Sequence, residues 1–193
     1  MHRNGKQQKL IDTPVRLPNG LVYRPDFITE DEEEIMLAYI ENLAFTRARF
    51  QEYHARRKIY GFGWGYDFKN RKLIPGPALP SFLVPLRTKI AKWLDIEKRR
   101  VVHALVTEYE PGTPIGWHRD SEEFEHIVGI SLKGWCTMQF RPTSSREQAG
   151  AISVELEPRS AYIMQKAVRW GWQHHIPPTK THRYSITFRT LYS

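Results

Sequence analysis

The chain has 193 residues, 40% of them hydrophobic, with 29 Lys and Arg against 21 Asp and Glu, a formal net charge of +8. This is the composition of a globular chain with its own core, which excludes disorder throughout, and the single cysteine, Cys136, excludes an internal disulfide or a cysteine-rich zinc module. No apolar run reaches the roughly 18 residues of a membrane span, no apolar stretch in the first residues reads as a secretory signal, and the basic balance suits a polyanion such as nucleic acid.

Residues 1–18 are polar and basic and read as a flexible arm, with one domain expected over 19–193. Asn19-Gly20 marks a turn and Leu21-Val22-Tyr23 a short strand. Thr29 and Glu32 form a capping box, and Ile35, Met36, Tyr39, Ile40 and Leu43 recur at helical spacing, so a helix is expected over 30–43. Arg47, Arg49, Arg56, Arg57 and Lys58 make a basic cluster. Tyr60, Phe62, Trp64, Tyr66 and Phe68 then alternate, which predicts a strand with five rings on one face. Residues 70–80, with three prolines, read as a loop. Ser81 can cap a second helix that buries Phe82, Leu83, Leu86, Ile90, Trp93 and Leu94. From about residue 101 six short β segments follow: 101–110, 125–132, 135–140, 151–156, 160–166 and 182–191. The order predicts an α+β fold, with helices on one face of an antiparallel sandwich or barrel.

The segment Pro111–Asp120 carries His118 and Asp120 two residues apart. In extended chain such neighbours point the same way, so an imidazole and a carboxylate can converge on one metal. A third ligand is available in Trp172-Gln173-His174-His175-Ile176-Pro177, where His174 and His175 point to opposite sides. His, Asp and a distal His make the two-histidine, one-carboxylate set that binds Fe(II) on one face and leaves positions for a cosubstrate and O2. After it, Arg183, Ser185, Thr187 and Arg189 share one strand face and Tyr184, Ile186 and Phe188 the other. A wholly polar face with two arginines suits an anionic ligand, because guanidinium binds carboxylate bidentately.

Taken together, the His-x-Asp pair, the distal His before a proline, and the Arg183-x-x-x-Thr187-x-Arg189 run resemble the AlkB family of Fe(II)/2-oxoglutarate dioxygenases, over roughly residues 20–190. The resemblance implies a double-stranded β-helix (jelly roll) core at about 101–193, N-terminal helices, and a nucleotide-recognition lid at about 45–75. It implies that His118, Asp120 and His174 ligate iron, that Arg183 binds the distal carboxylate of 2-oxoglutarate, and that Arg189 sits near its other end in the cosubstrate site. Tyr109, Thr187, Ile115, Ser185 and Thr107 would line the cosubstrate pocket. Ser185 and Thr107 stand where family repair enzymes commonly carry Asn. Trp64, Tyr66, Tyr60 and Glu122 would contact a base, and Arg56 and Arg57 would track phosphates.

The implied activity is oxidative removal of N-alkyl groups, of the 1-methyladenine and 3-methylcytosine type, from single-stranded DNA or RNA. It consumes Fe(II)-activated O2 and 2-oxoglutarate and releases formaldehyde, succinate and CO2. A tRNA-modifying or protein-directed hydroxylase is the alternative, and a noncatalytic nucleic-acid-binding module a further one. A monomer in the cytoplasm, or the nucleus of a eukaryote, is expected. Cys136 reads as a core strand residue, and Trp172 as a neighbour of the iron site.

Overall fold

The computed structural model describes residues 17–50, 53–67, 70, 72–144 and 151–192. Phe68, all but the last two residues of the expected arm, and the Arg49 side chain lie outside the described residues. In chain order the elements are β1 (Leu21–Arg24), α1 (Glu30–Ile40), β2 (Thr46–Phe50), β3 (Tyr53–Asp67), β4 (Lys72–Pro75), α2 (Val84–Leu94) and β5 (Val101–Tyr109). They continue as β6 (Ile115–His118), β7 (Ile127–Leu132), β8 (Cys136–Pro142), β9 (Ile152–Leu156), β10 (Ala161–Met164), α3 (Lys166–Gly171), β11 (Trp172–Ile176) and β12 (Arg183–Thr190).

The strands form two antiparallel sheets. The larger has the order β1-β10-β7-β12-β5-β3-β2, with β4 paired to β3, and the smaller β6-β11-β8-β9. This is the jelly roll, with α1 and α2 on the outer face of the larger sheet. Met36, Ile40, Leu86 and Ile90 of the helices pack there against Ala104, Val106, Ile130 and Ile186. A second cluster, with Tyr109, Ile127, Met138, Phe140 and Ile176, fills the space between the sheets. Strand β7 is covered on both faces, so all six of its residues are buried and its sequence, apolar but for Ser131, does not alternate. Strands β5 and β12 do alternate: Tyr184, Ile186 and Phe188 join the helix-side core, which turns the polar residues between them inward.

Several local expectations are corrected. The capping box forms: Thr29 Oγ1 accepts from the Glu32 amide at 3.1 Å, and the Glu32 carboxylate accepts from the Thr29 amide at 2.8 Å. But α1 stops at Ile40 rather than residue 43, because the Asn42 and Leu43 amides bond three residues back and tighten the chain out of the helix. Ile35 stays 56% exposed. Ser81 does not cap α2; it opens a single 3-10 turn, Ser81–Leu83, and Pro85 sits in the first turn of the α-helix. Lys72–Pro75 pair with β3 instead of forming a loop, with Pro75, which has no amide to give, at the end of the strand. Strand β10 ends at Met164, and Lys166–Gly171 turn into α3, a helix too short for a periodic signal.

The row of aromatic residues on β3 does not share one face. Gly63 has φ of +77°, its amide donates to the Pro77 carbonyl at 2.6 Å, and its own carbonyl accepts from the Gly76 amide at 2.8 Å. A Cβ there would lie 2.0 Å from the Val102 carbonyl oxygen, so only glycine fits. The irregularity reverses the alternation. Before it, Tyr60 and Phe62 pack on the helix-side core; after it, Tyr66 packs with the cluster between the sheets.

Candidate metal centre and cosubstrate pocket

Strands β6 and β11 are neighbours in the smaller sheet, and their register sets His118 directly opposite His174. Asp120 follows two residues beyond the end of β6. One ligand atom from each of His118, Asp120 and His174 lies within 4.8 Å of the others. His174 Nε2 is 3.5 Å from Asp120 Oδ2. His118 Nδ1 donates to the Gly116 carbonyl at 2.8 Å, which leaves its Nε2 lone pair for the cluster. His175 points the other way, with Nδ1 2.6 Å from the Ile115 carbonyl and its ring stacked on Trp117. Between the two adjacent histidines, the strand pleat therefore selects His174.

The electrostatics keep these groups in their ligating forms. Burial, then the neighbouring His118, lowers His174 to about 3, and burial also lowers His118. Burial alone would raise the Asp120 carboxyl, but the Arg189 guanidinium, with His174 and His118, holds the group below the usual carboxylate range. Arg189 donates to Asp120 Oδ1 through Nε at 3.0 Å and Nη2 at 2.5 Å, so Oδ2 is the oxygen left to face the histidines. Two neutral imidazoles and a carboxylate on one side of an open space fit Fe(II).

Deeper between the sheets, Arg183 is 1% exposed. Its Nε donates to Ser131 Oγ at 2.9 Å, its guanidinium lies 4.9 Å from the Tyr109 ring centre, and Nη1 has no partner. Among the described residues no carboxylate pairs with it. A buried cation without an anion costs several kcal/mol, so this end of the pocket fits an anionic ligand such as a carboxylate. The space between Arg183 and the triad is bordered by Thr107, Tyr109, Ile115, Ser185 and Thr187. Tyr162 and Met138 line it too, and sequence reasoning missed both. Nothing in a single sequence marks Tyr162, whose position depends on Gly129 of the adjacent strand: a Cβ there would lie 2.3 Å from the Tyr162 ring.

An outer cavity of about 330 Å³ opens on His118 and Asp120. Arg57, Tyr66, His103 and Phe124 border it. His103 and Phe124 were not singled out by the sequence; they come from β5 and from the loop after Asp120. The structure does not bring the other expected base contacts to this cavity. Tyr60 packs on the helix-side core, 4.9 Å from Phe62 between ring centres. Trp64, 44% exposed, stands beyond the Gly63 reversal on the β3–β4 hairpin. Glu122 is exposed and paired with Arg119 at 3.0 Å. Arg56 turns outward toward the Gly112 carbonyl, 3.4 Å away. Lys58 of the basic cluster is paired with Glu108 and Glu110.

Two arginines tie the loop that carries Asp120 to α3. Arg169, 2% exposed, donates to the carbonyls of Ser121 at 2.6 Å and Phe124 at 2.7 Å, and Arg119 donates to the Trp170 carbonyl at 2.8 Å. Trp172 borders the space between α3 and His174. Cys136 is buried in β8, and burial pushes its thiol up, as suits a core residue.

Comparison with known proteins agrees with this geometry. A family model described as the 2OG-Fe(II) oxygenase superfamily matches residues 20–189. The chain is 29% identical over 194 residues to the "Alkylated DNA repair protein ALKBH8 homolog" of Arabidopsis thaliana, covering 89% of this chain and 54% of that protein. It is 31% identical over 169 residues to the "tRNA (carboxymethyluridine(34)-5-O)-methyltransferase alkbh8" of Xenopus tropicalis, covering 85% of this chain and 26% of that protein. The chain thus spans only part of either relative. The solved structure of OsALKBH1 superposes with a TM-score of 0.67 at 17% identity, over 91% of this chain and 98% of that one, a likeness of fold. No helix among the described residues is long and apolar enough to cross a membrane. Because the family match runs from β1 through the triad to the last arginine of β12, the chain belongs to the 2OG-Fe(II) oxygenase superfamily, as an AlkB-like dioxygenase whose cofactor set is Fe(II), 2-oxoglutarate and O2.

Proposed function

We propose that the chain oxidises an alkyl carbon on an unpaired nucleobase of single-stranded DNA or RNA. The observation that carries this reading is the outer cavity, with Tyr66, His103 and Phe124 in its wall, Arg57 beside them, and His118 and Asp120 at its floor. A base out of its stack needs flat apolar walls, and its phosphates need cations. His118, Asp120 and His174 would hold iron, and Arg183 the far carboxylate of 2-oxoglutarate, with Tyr109, Thr107, Ser185, Thr187 and Ile115 shaping the space between. Bound iron would supply O2 activation coupled to oxidative decarboxylation of 2-oxoglutarate to succinate and CO2. Arg189 would keep the Asp120 carboxylate oriented, and the Ile115–Met138 side of the pocket would limit water.

Where the alkyl carbon is attached to nitrogen, as in 1-methyladenine or 3-methylcytosine, hydroxylation gives a hemiaminal. That product expels formaldehyde and leaves the unmodified base. Where it is attached to carbon, the product remains as an alcohol, a modification rather than a repair. A relative named for a carboxymethyluridine of tRNA favours keeping this second reading.

The test is succinate and formaldehyde release from short DNA and RNA single strands bearing 1-methyladenine or 3-methylcytosine, with Fe(II), ascorbate and 2-oxoglutarate. Nucleoside mass spectrometry of treated tRNA runs alongside. Formaldehyde that disappears without 2-oxoglutarate supports dealkylation, and a mass gain of one oxygen in tRNA supports modification. Neither product, from protein that binds metal and 2-oxoglutarate and yet binds no DNA or RNA single strand, would sink the nucleic-acid reading.

A further inference from the structure

His103 on β5 stands in the wall of the outer cavity and takes no part in the triad. Arg189 Nη1 donates to its Nδ1 at 3.0 Å. A guanidinium only donates, so Nδ1 must hold the lone pair, and the ring is neutral with its one proton on Nε2. The ring is held flat against Phe124, 5.6 Å between centres and 16° from parallel. Arg189 is in turn anchored on Asp120. Ring orientation and tautomer are therefore both set by the metal site's own support.

The Nε2–H has no partner among the described residues, and it is not one of the sealed, unpaired polar atoms of the interior. It faces Gly61, 3.7 Å from where a Cβ would stand, and Gly61 and Gly65 leave that side of the cavity without side chains. Two further features concern charge. Arg57, Arg119 and Arg189 border the cavity, and Asp120 is the only carboxylate that does so among the described residues. That carboxylate is already bonded to Arg189, and Glu122 is turned to Arg119.

We infer that the cavity takes an uncharged base that presents a keto oxygen to the fixed Nε2–H of His103, and that it discriminates against bases carrying a positive charge. The inference rests on the nucleic-acid reading above and names the class of base within it. A fixed donor rewards an acceptor at one place on the base edge, and a base lacking it leaves a desolvated N–H unpaired. A cationic base would meet Arg57, which no carboxylate among the described residues offsets, while Asp120 and Glu122 are already engaged by Arg189 and Arg119.

The test uses short single strands with one 3-methyluracil or 1-methylguanine, both uncharged and with a keto oxygen beside the methylated nitrogen where adenine and cytosine carry an amino group, against strands with 1-methyladenine or 3-methylcytosine, both cationic. All four release formaldehyde when the methyl carbon is hydroxylated, so one assay ranks them, and fluorescence anisotropy ranks binding. The uncharged pair is expected to lead by about 10-fold or more in kcat/KM. His103→Phe, which keeps a flat ring without the N–H, should lower that ratio several-fold, leaving the part set by charge. His103→Gln, whose amide still donates, should restore most of it. The 15N spectrum of the native protein should show His103 protonated at Nε2 and not at Nδ1.

A preference for the cationic strands, a ratio unchanged in His103→Phe, or a proton on Nδ1 would overturn this inference alone. Failure of all four strands to bind or turn over would overturn this inference, and the nucleic-acid reading with it where tRNA gains no oxygen either.

Discussion

Arg183 carries its charge into the interior with only neutral neighbours among the described residues, and this separates the binding role proposed for it from any role in folding. Replacing a buried, unpaired cation by an apolar chain of similar length removes a desolvation cost. Arg183→Met is therefore expected to melt no lower than the native protein without ligand. The same variant should lose the rise in melting temperature that 2-oxoglutarate gives the native chain, and its KM for 2-oxoglutarate should rise by about 100-fold, from two lost charge-assisted bonds. A variant that melts much lower, with its KM unchanged, would assign Arg183 to packing. At the metal, Asp120→Ala should abolish turnover and the thermal shift produced by Mn(II). Arg189 would then lose two of its bonds, so the variant should also lose stability, by about 1–3 kcal/mol in denaturant melts.

At the level of elements, two glycines govern where side chains arrive. Gly63 reverses the pleat of β3, which sends Tyr60 to the helices and Tyr66 to the cavity. Gly63→Ala puts a methyl against the Val102 carbonyl at a positive φ, and is expected to cost about 1–3 kcal/mol. Equilibrium unfolding measures that cost, and weaker oligonucleotide binding should accompany it. Gly129 lets the Tyr162 ring lie across β7 beside the cosubstrate pocket. Gly129→Ala must push the ring, so a comparable loss of stability is expected together with a higher KM for 2-oxoglutarate. Stability loss with an unchanged KM would show that Tyr162 yields away from the pocket.

Across the whole molecule, the buried histidines couple stability to pH. His103 and His174 fall from 6.5 to about 3 on folding, mainly through burial, and burial lowers His118 as well. Between those values the unfolded chain binds more protons than the folded one, so stability is complete above about pH 6.5 and declines as pH falls toward 3. Each such histidine contributes up to about 1.4 kcal/mol per pH unit over that window. Metal-free protein should melt at a lower temperature at pH 5 than at pH 7, and His103→Gln should flatten the dependence. A melting temperature independent of pH in this range would mean that the three rings titrate normally.

Much of this protein was legible in one dimension. Chemistry that depends on neighbours in sequence, such as the capping box at Thr29 and Glu32, the alternation along Arg183–Arg189, and the His118-x-Asp120 pair, is written in short spacings set by helix pitch and strand pleat. The family resemblance rests on those spacings too. The tertiary structure alone decided what depends on contact between distant strands. Register set His174, the histidine that the family resemblance implies, directly across from His118. A backbone bond from Gly63 to Pro77 undid the uniform aromatic face that alternation predicts. Arg189, 86 residues away in sequence, gave His103 its tautomer. A side chain's type and local direction are properties of the chain, whereas its partner, its charge state and the wall it joins follow from packing between strands far apart in sequence.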